Sequence, residues 1–222
     1  MISINFMKIE NKIFIFDFDG VILDTDLLKY KIFSNLFKNE NKVIQKKILK
    51  YHFLNQGINR IKKFEYILNT IIKKQNTKYS INFLEKSFSK QLNNKIDKCK
   101  FSTGSIRSLK FLNEKNINVY VATGVKQKEI DKIVINLRIK KYFKKIYGYP
   151  LKKDKIISKI KTREKIKNHN IYFVGDSMSD LRAARKMKIN FLGRKTTLNS
   201  KLLGRNRYFK EKNVYKIVKK VF

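Results

Sequence analysis

The sequence predicts an α/β protein in which a doubly wound parallel sheet is interrupted, soon after its first strand, by an inserted α-helical unit. Two observations lead to this fold class. From residue 103 onward, short apolar runs alternate with helical apolar spacing, which is typical of parallel strands joined by helices. Between Leu27 and Leu92, helical spacing recurs without a strand, over a length that suffices for a small helical domain.

The elements follow in order from the apolar pattern. Ile13–Phe16 is predicted as the first strand, and Gly57 and Asn76 are predicted as breaks between the helices of the inserted unit. The later strands are predicted at 119–122, 145–147, 171–174 and 189–192, and the later helices at 106–112, 126–137, 155–166 and 179–187. The predicted domains are residues 1–25 with 100–222 for the sheet and residues 26–99 for the helices.

Composition limits the class of protein. The hydrophobic fraction of 42% suits a folded core, and the single cysteine, Cys99, excludes an internal disulfide, which favours a reducing compartment. No stretch approaches the ~18 uninterrupted apolar residues of a membrane helix. We therefore expect a soluble, cytoplasmic protein that does not insert into membranes.

The formal net charge of +36 has two explanations. A polyanionic partner, such as nucleic acid or an anionic membrane, would bind so many lysines by counterion release. A compositional bias also accounts for the charge, because lysine, isoleucine and asparagine are frequent throughout, as an AT-rich genome would impose. The lysines are spread along the chain rather than gathered in one arm, so the compositional explanation is favoured and nucleic acid stays an alternative partner.

Against this basic background, four aspartates follow the first strand within ten positions: Asp17, Asp19, Asp24 and Asp26. Clustered like charges repel, and a divalent cation would offset them. Polar residues also follow two later strands, namely Thr123, and Asp176 with Asp180. Because ligands of open parallel sheets bind at the carboxyl ends of strands, these three clusters are expected to meet in one site.

The motifs "DFDGVILDTD", "VYVATG", "YGYPLKKDKI" and "GDSMSD", with a helical insert after the first, resemble those of the haloacid dehalogenase superfamily of phosphotransferases. The resemblance covers nearly the whole chain. It implies a Rossmann-like core with a helical cap of the C1 type. The segment "YHFLNQGINRIKKF" is also similar to a cap segment of one subgroup of phosphatase-like hydrolases.

The resemblance implies a role for each aspartate of the motifs. Asp17 would be the covalent nucleophile, and Asp19 would act first as general acid and then as general base. Mg²⁺ would be held by Asp17, the backbone carbonyl of Asp19, and Asp176. Asp180 would orient this ligand shell or bind the metal through water.

Other residues are expected to bind the phosphoryl group and the rest of the substrate. Thr123, Gly124 and Lys153 would contact the phosphoryl oxygens, with Lys152 as the alternative lysine. Arg60, just after a glycine in the cap segment, would bind the substrate with its planar fork, which can grip a carboxylate or phosphate in two places. A solvated surface cation is the alternative interpretation of Arg60.

The remaining polar candidates have simpler explanations. Asp24, with Thr25, is placed where it could N-cap the first helix of the insert or act as a hinge group. His52 and His169 have no partners at metal-ligand spacing and are predicted to be structural, although His52 is kept as a candidate because it lies in the cap segment.

The predicted function is a Mg²⁺-dependent phosphatase that hydrolyses a small phosphorylated metabolite through an aspartyl-phosphate. The alternatives are a sugar phosphomutase of the same fold, a basic nucleic-acid-binding protein without turnover, and a phosphatase of nucleic-acid termini. The intact set of aspartates disfavours a protein without turnover. A cap of this size favours a small substrate over a long strand.

Overall fold

The computed structural model describes residues 12–73, 79–196, 199 and 209–222. The strands in chain order are β1 Ile13–Phe16, β2 Asn118–Lys126, β3 Lys145–Tyr149, β4 Ile171–Gly175, β5 Asn190–Arg194 and β6 Lys210–Glu211. They form one sheet in the order β3-β2-β1-β4-β5-β6, and every neighbouring pair is parallel. The predicted α/β class is confirmed.

The helices form two groups. Those between β1 and the rest of the sheet are α1 Asp26–Leu36, α2 Lys42–Leu54, α3 Arg60–Tyr66, which continues as a π-helical segment Ile67–Ile72, and α4 Ile81–Ile96. Those that follow are α5 Ser105–Glu114, α6 Gln127–Asn136, α7 Lys153–Glu164, α8 Met178–Lys186 and α9 Val214–Lys219. No helix in the described ranges has the combination of length and hydropathy that a membrane span requires.

Strand β1 is the buried centre of the sheet. All of its residues are at most 1% exposed, and it pairs with β2 and β4 over the same four positions. Successive side chains of a strand point to opposite faces. Phe14 and Phe16 accordingly join the core that contains residues of α5, α6 and α9, while Ile13 and Ile15 join the core that contains residues of α7 and α8. A strand covered on both faces is apolar without alternation, as this one is.

Helices α1–α4, which we call the helical unit, are joined to the sheet by two chain segments that run side by side. Leu23 and Phe101 form an antiparallel bridge, and the N–H of Asp24 donates to the carbonyl of Lys100 at 2.9 Å. The chain therefore enters and leaves the helical unit at one place. These paired segments lie next to the domain boundaries that the sequence predicts. We propose residues 26–99 as a separate cap domain.

The helical unit has an aromatic core of its own. The Phe33 ring lies 5.4 Å from that of Phe64 and 5.5 Å from that of Phe88, centroid to centroid, in tilted and edge-on arrangements. All three side chains are at most 2% exposed. Because they belong to α1, α3 and α4, this cluster fixes the three helices against one another.

The structure differs from the predicted elements in a few places. Strand β2 runs past the predicted end at 122 because β3 pairs with it at residues 120–122 and again at Lys126, with an irregularity between. The sequence pattern predicts neither β6 nor α9. Strand β6 has only two residues, which are too few to show alternation. The predicted break at Gly57 is confirmed by its φ of +77°, whereas the predicted break at Asn76 lies outside the described residues.

Replacing a central ring of the aromatic core should destabilise the helical unit. Phe64→Ala is expected to lower the free energy of unfolding by about 3–5 kcal/mol, because it removes buried apolar surface and leaves a cavity. Phe83→Ala is the matched control, since Phe83 is 54% exposed and its loss should change the value by no more than about 0.5 kcal/mol. Urea unfolding followed by circular dichroism measures both, and equal effects would contradict the assignment of the core.

Candidate active site

Strand ends bring most of the predicted residues together. Asp17 follows β1, Asp176 follows β4, and Thr123 lies in the last part of β2. Strands β2 and β4 flank β1 and pair with it in register, so the carboxyl ends of the three strands align. As a result, carboxylate oxygens of Asp17, Asp176 and Asp180 lie within 4.8 Å of one another, and all three residues are buried.

Asp17 is held at both of its carboxylate oxygens. Oδ1 accepts a hydrogen bond from the N–H of Phe18 at 2.7 Å, and Oδ2 lies 2.9 Å from Nζ of Lys153. Burial raises the pKa of Asp17 to about 7, even though the Lys153 ammonium opposes the shift. The carboxylate is thus fixed in position, but the protein groups around it do not fully compensate its charge.

Lys153 and Asp180 form the second half of this arrangement. Asp180 caps α8, with Oδ2 accepting from the N–H of Ser177 at 3.0 Å and from its hydroxyl at 2.7 Å. Its Oδ1 accepts from Lys153 at 2.5 Å. Burial alone would lower the pKa of Lys153, but Asp17 and Asp180 raise it above the usual value. Lys153 therefore stays charged between two carboxylates, whereas Lys152 is exposed.

Asp176 differs because no donor in the described part of the chain hydrogen-bonds its carboxylate, which is 2% exposed. Burial, with repulsion from Asp26 and Asp17, raises the pKa of Asp176 well above its ordinary value. The space beside it depends on Gly20, where a Cβ would lie 2.2 Å from Oδ2 of Asp176 and where φ is +69°. A side chain at position 20 would therefore collide with this carboxylate, and glycine leaves room for it.

The donor set fits a divalent cation. Among the described residues, three buried carboxylates face one ammonium, that of Lys153, so the cluster carries excess negative charge. Carboxylate oxygens are the ligands that Mg²⁺ prefers. Asp176 suits direct ligation best, because no described protein group donates to its carboxylate, whereas Asp17 accepts one bond at each oxygen and Asp180 accepts from Lys153 and twice from Ser177. The predicted contribution of the Asp19 backbone carbonyl stays a prediction.

Asp19 is hydrogen-bonded on the side of the helical unit. Its Oδ1 accepts from the hydroxyl of Thr25 at 2.7 Å, and its Oδ2 lies 2.5 Å from Nζ of Lys29. Burial pushes the pKa of Asp19 upward, but Lys29 and Thr25 outweigh it and leave the pKa below its ordinary value. The Thr25 side chain caps no backbone N–H of α1 and Asp24 is exposed, so the N-capping interpretation of this pair is wrong.

The loop before α3 closes over the end of β2. Asn59 Nδ2 donates to the carbonyl of Gly124 at 3.3 Å, and a Cβ on Gly124 would lie 3.2 Å from the carbonyl oxygen of Gly57. Thr123 is 1% exposed, and its hydroxyl oxygen accepts from the N–H of Val125 at 3.3 Å. The absence of a side chain at Gly124 thus lets the helical unit come close to the predicted phosphate-binding strand end.

One cavity lies between the strand ends and the helical unit. Its lining includes Asp17, Asp19, Thr123, Gly124 and Asp176 from the strand ends, and Phe33, His52, Arg60, Lys63 and Phe88 from the helical unit. Lys153 lines an adjoining opening that also reaches Thr123 and Gly124. The predicted catalytic and substrate-binding residues therefore line these two adjoining cavities, whereas Asp180 is fully buried behind them.

Arg60 lines this cavity, but protein groups engage its guanidinium. Nη1 and Nη2 donate to the two carboxylate oxygens of Glu129 at 3.1 and 2.6 Å. Nε donates to Glu85 at 3.3 Å, and Nη2 also donates to Ser89 at 2.8 Å. Because Glu129 belongs to α6, the pair ties the helical unit to the sheet domain. A contact between Arg60 and substrate stays a prediction, and it would require an exchange with Glu129.

Sequence reasoning did not predict Lys29, Lys63 or Asn199 at the site. Asn199 Nδ2 donates to the backbone carbonyl of Asp176 at 2.6 Å. Lysines are so frequent in this chain that identity alone does not single out two of them. A signal existed in spacing, since Lys29 and Lys63 lie four residues before the buried residues Phe33 and Ile67 and so interrupt apolar helix faces.

The two histidines lie in different surroundings. His52 is 6% exposed, lines the cavity and stacks on Phe33 with ring centroids 3.9 Å apart. His169 is exposed in the short turn before β4, at the opposite end of that strand from Asp176. Only His52 therefore belongs to the candidate site.

Comparison with known proteins identifies the family. The sequence model of the haloacid dehalogenase-like hydrolases matches residues 14–194. The chain belongs to this family, and the resemblance of its motifs is confirmed. No curated protein matches the chain.

Solved structures share the fold over nearly the whole chain. A predicted phosphoglycolate phosphatase from Haemophilus somnus 129PT has 15% identity and a TM-score of 0.77, with 95% of this chain and 98% of that chain covered. A protein from Thermotoga maritima, described provisionally as a beta-phosphoglucomutase, has 19% identity and a TM-score of 0.70 over 95% and 98%. A provisional haloacid dehalogenase-like hydrolase from Bacillus subtilis, bound to magnesium, has 13% identity and a TM-score of 0.70 over 95% and 99%.

Mg²⁺ should stabilise the folded protein through this carboxylate cluster. At 100 times its Kd, a ligand of the native state adds about 2.7 kcal/mol to the free energy of unfolding, so Tm should rise when Mg²⁺ replaces EDTA. Asp176→Asn should abolish most of this rise, while its Tm in EDTA should not fall, because a poorly compensated buried charge is removed.

Asp97→Asn provides the control for this experiment, because Asp97 is an exposed acidic residue outside the cluster. Differential scanning fluorimetry should show the same Mg²⁺-dependent rise in this variant as in the native sequence. An undiminished rise in Asp176→Asn would contradict the assignment of the metal site.

Proposed function

We propose that this protein is a Mg²⁺-dependent phosphatase that hydrolyses a small phosphorylated metabolite through an aspartyl-phosphate on Asp17. The observation that carries the proposal is that two carboxylates line the same cavity and are bound by different lysines. Asp17 is bound by the Lys153 ammonium at 2.9 Å beside other buried carboxylates, and Asp19 is bound by Lys29 at 2.5 Å. Such a pair supplies a nucleophile and a separate proton carrier within reach of one ligand.

In the proposed first step, an oxygen of Asp17 forms a bond to phosphorus while the bond from phosphorus to the ester oxygen breaks. Asp19 gives its proton to that ester oxygen, which leaves as an alcohol. Lys29 holds Asp19 ionised in the free protein, so Asp19 must gain a proton when the substrate binds. A phosphate ester brings negative charge close to Asp19, which favours that protonation. Lys153 and Thr123 offset and hydrogen-bond the charge that develops on the phosphoryl oxygens.

In the second step, a water oxygen forms a bond to phosphorus and the bond to the Asp17 oxygen breaks, which releases inorganic phosphate. Asp19 removes a proton from the attacking water and returns to its acid form. The hydrogen bond from Thr25 and the ion pair with Lys29 fix the orientation of Asp19 for this transfer. Both steps together convert one ester and one water into an alcohol and phosphate.

Mg²⁺ would be held by Asp17 and Asp176, oriented by Asp180, and when bound it would offset negative charge on the carboxylates and the phosphoryl oxygens. The burial of these carboxylates and the closeness of their oxygens support this assignment. The magnesium found in the Bacillus subtilis relative is in keeping with it. Gly124 and Arg60 are proposed to contact the substrate from the two sides of the cavity.

A sugar phosphomutase is the alternative function, because it would use the same aspartates, and a provisionally described beta-phosphoglucomutase shares the fold. The two functions differ in whether water reaches the phosphorylated Asp17. Incubation with a sugar 1-phosphate distinguishes them, since a phosphatase releases inorganic phosphate and free sugar. A phosphomutase instead yields an isomeric sugar phosphate with little free phosphate.

Phosphatase activity should require both Asp17 and Mg²⁺. In a screen of small phosphorylated metabolites, release of inorganic phosphate should occur with Mg²⁺ and stop with EDTA. Asp17→Asn should reduce kcat to background while circular dichroism and Tm show a folded protein, since it replaces the nucleophile with a much weaker one. Asp97→Asn should keep full activity, and turnover by Asp17→Asn at the native rate would refute the mechanism.

Asp19→Asn should separate proton transfer from metal binding. We expect kcat to fall by about 10²–10⁴-fold, because positioned proton transfer is lost. The Mg²⁺-dependent rise in Tm should persist, since the proposed ligands Asp17 and Asp176 are unchanged. A variant that loses this rise but turns over normally at saturating Mg²⁺ would show that Asp19 is a metal ligand and not the acid and base.

A further inference from the structure

The wall of the cavity formed by the helical unit contains a buried lysine that the proposed chemistry does not use. Lys63, on α3, is 4% exposed, and its Nζ lies 3.3 Å from Nδ1 of His52. The same ammonium lies 5.8 Å from the centroid of the Phe33 ring, on which His52 stacks. The close neighbours of Lys63 are therefore rings, and Asp19 and Asp26, whose carboxylates attract its charge from farther away, form no ion pair with it in the described structure.

The nearest polar partner of Lys63 cannot neutralise it. Burial, with repulsion from Lys63, lowers the pKa of His52 to about 2, so the imidazole stays neutral and its Nδ1 can accept a hydrogen bond from Lys63 without balancing the charge. No carboxylate in the described part of the chain forms an ion pair with Lys63. Burial, with repulsion from Lys29, lowers the pKa of Lys63 to about 7. A buried ammonium without an anionic partner is costly, and an anion beside it would be strongly bound.

The other cations of this wall are matched by carboxylates. Lys29 lies 2.5 Å from Asp19, and Arg60 donates twice to Glu129. Lys63 thus stands apart from its neighbours within the described lining of the cavity. A lysine with a purely structural role would be expected either to have such a partner or to extend into solvent.

From this geometry we infer that Lys63 binds a second anionic group, a carboxylate or a phosphate, on the part of the substrate that leaves as the alcohol. The inference rests on the proposed phosphatase function and narrows its substrate class to small phosphate esters with two anionic ends. Phe33 and Phe88 line the cavity beside Lys63 and suit a short carbon chain between those ends.

Matched pairs of esters test this substrate class. Each pair keeps the ester and exchanges one carboxylate for a neutral CH₂OH group: 2-phosphoglycolate against 2-hydroxyethyl phosphate, and 3-phosphoglycerate against glycerol 3-phosphate. The bisphosphate of ethanediol, against 2-hydroxyethyl phosphate, tests a second phosphate. We expect at least one anionic member to exceed its neutral partner in kcat/KM by about tenfold or more. Ratios near one in all pairs would overturn the inference.

Lys63→Met removes the ammonium while keeping an unbranched side chain of similar length. The ratio of kcat/KM between the preferred anionic ester and its neutral partner should fall toward one in this variant. Lys46→Met is the control, since Lys46 is an exposed lysine of α2 in the same helical unit, and it should keep the native ratio. If Lys63 had only a structural role, Lys63→Met would lower kcat/KM equally for both esters. The ratio would then stay unchanged, which would contradict the inference.

Binding of phosphonates separates this inference from the proposed function. The native protein is titrated calorimetrically, in Mg²⁺, with 3-phosphonopropionate and with propylphosphonate, which share a phosphonate and differ in the carboxylate. Tighter binding of the carboxylate compound, lost in Lys63→Met but not in Lys46→Met, supports the inference even if no ester is hydrolysed. Equal binding of the two compounds overturns the inference, even if an active phosphatase is found.

Discussion

The arrangement of the site depends on one constraint, the placement of three buried carboxylates around the Lys153 ammonium at the ends of β1 and β4. Lys153 reaches Asp17 at 2.9 Å and Asp180 at 2.5 Å, so it links the first strand to the cap of α8. One positive charge does not balance three negative charges in a buried setting. The proposed Mg²⁺ would supply the missing positive charge, and the absence of a side chain at Gly20 leaves room for the Asp176 carboxylate.

The helical unit is placed over these carboxylates by polar contacts and by close backbone approach. Arg60 reaches across to Glu129 on α6, and Asn59 Nδ2 donates to the carbonyl of Gly124. At Gly57, a Cβ would lie 2.3 Å from the Ser179 hydroxyl oxygen, so this close approach also requires glycine. These contacts hold the helical unit against the sheet domain beside the strand ends.

Much of the fold and part of the site follow from the sequence, and the reasons differ. The buried strand Ile13–Phe16 shows as an unbroken apolar run because both of its faces are covered. Asp17 and Asp176 are predictable because strand ends in a parallel sheet converge. The local spacing of apolar residues does not predict contacts between helices that are far apart in the sequence. The pairing of Arg60 with Glu129 and the burial of Lys63 against His52 depend on how α3 packs on α2 and α6, which periodicity does not report.

In a chain with 53 basic residues, position rather than identity distinguishes the lysines of the site. Lys152 and Lys62 are exposed, while their neighbours Lys153 and Lys63 are buried. A general excess of lysine would add charge to exposed positions, where each cation is solvated. It would not place ammonium groups inside apolar surroundings, where burial is costly. The two kinds of lysine therefore have separate explanations. The exposed majority fits a compositional bias, and the buried few require anions, which carboxylates supply at Lys153 and the proposed substrate supplies at Lys63.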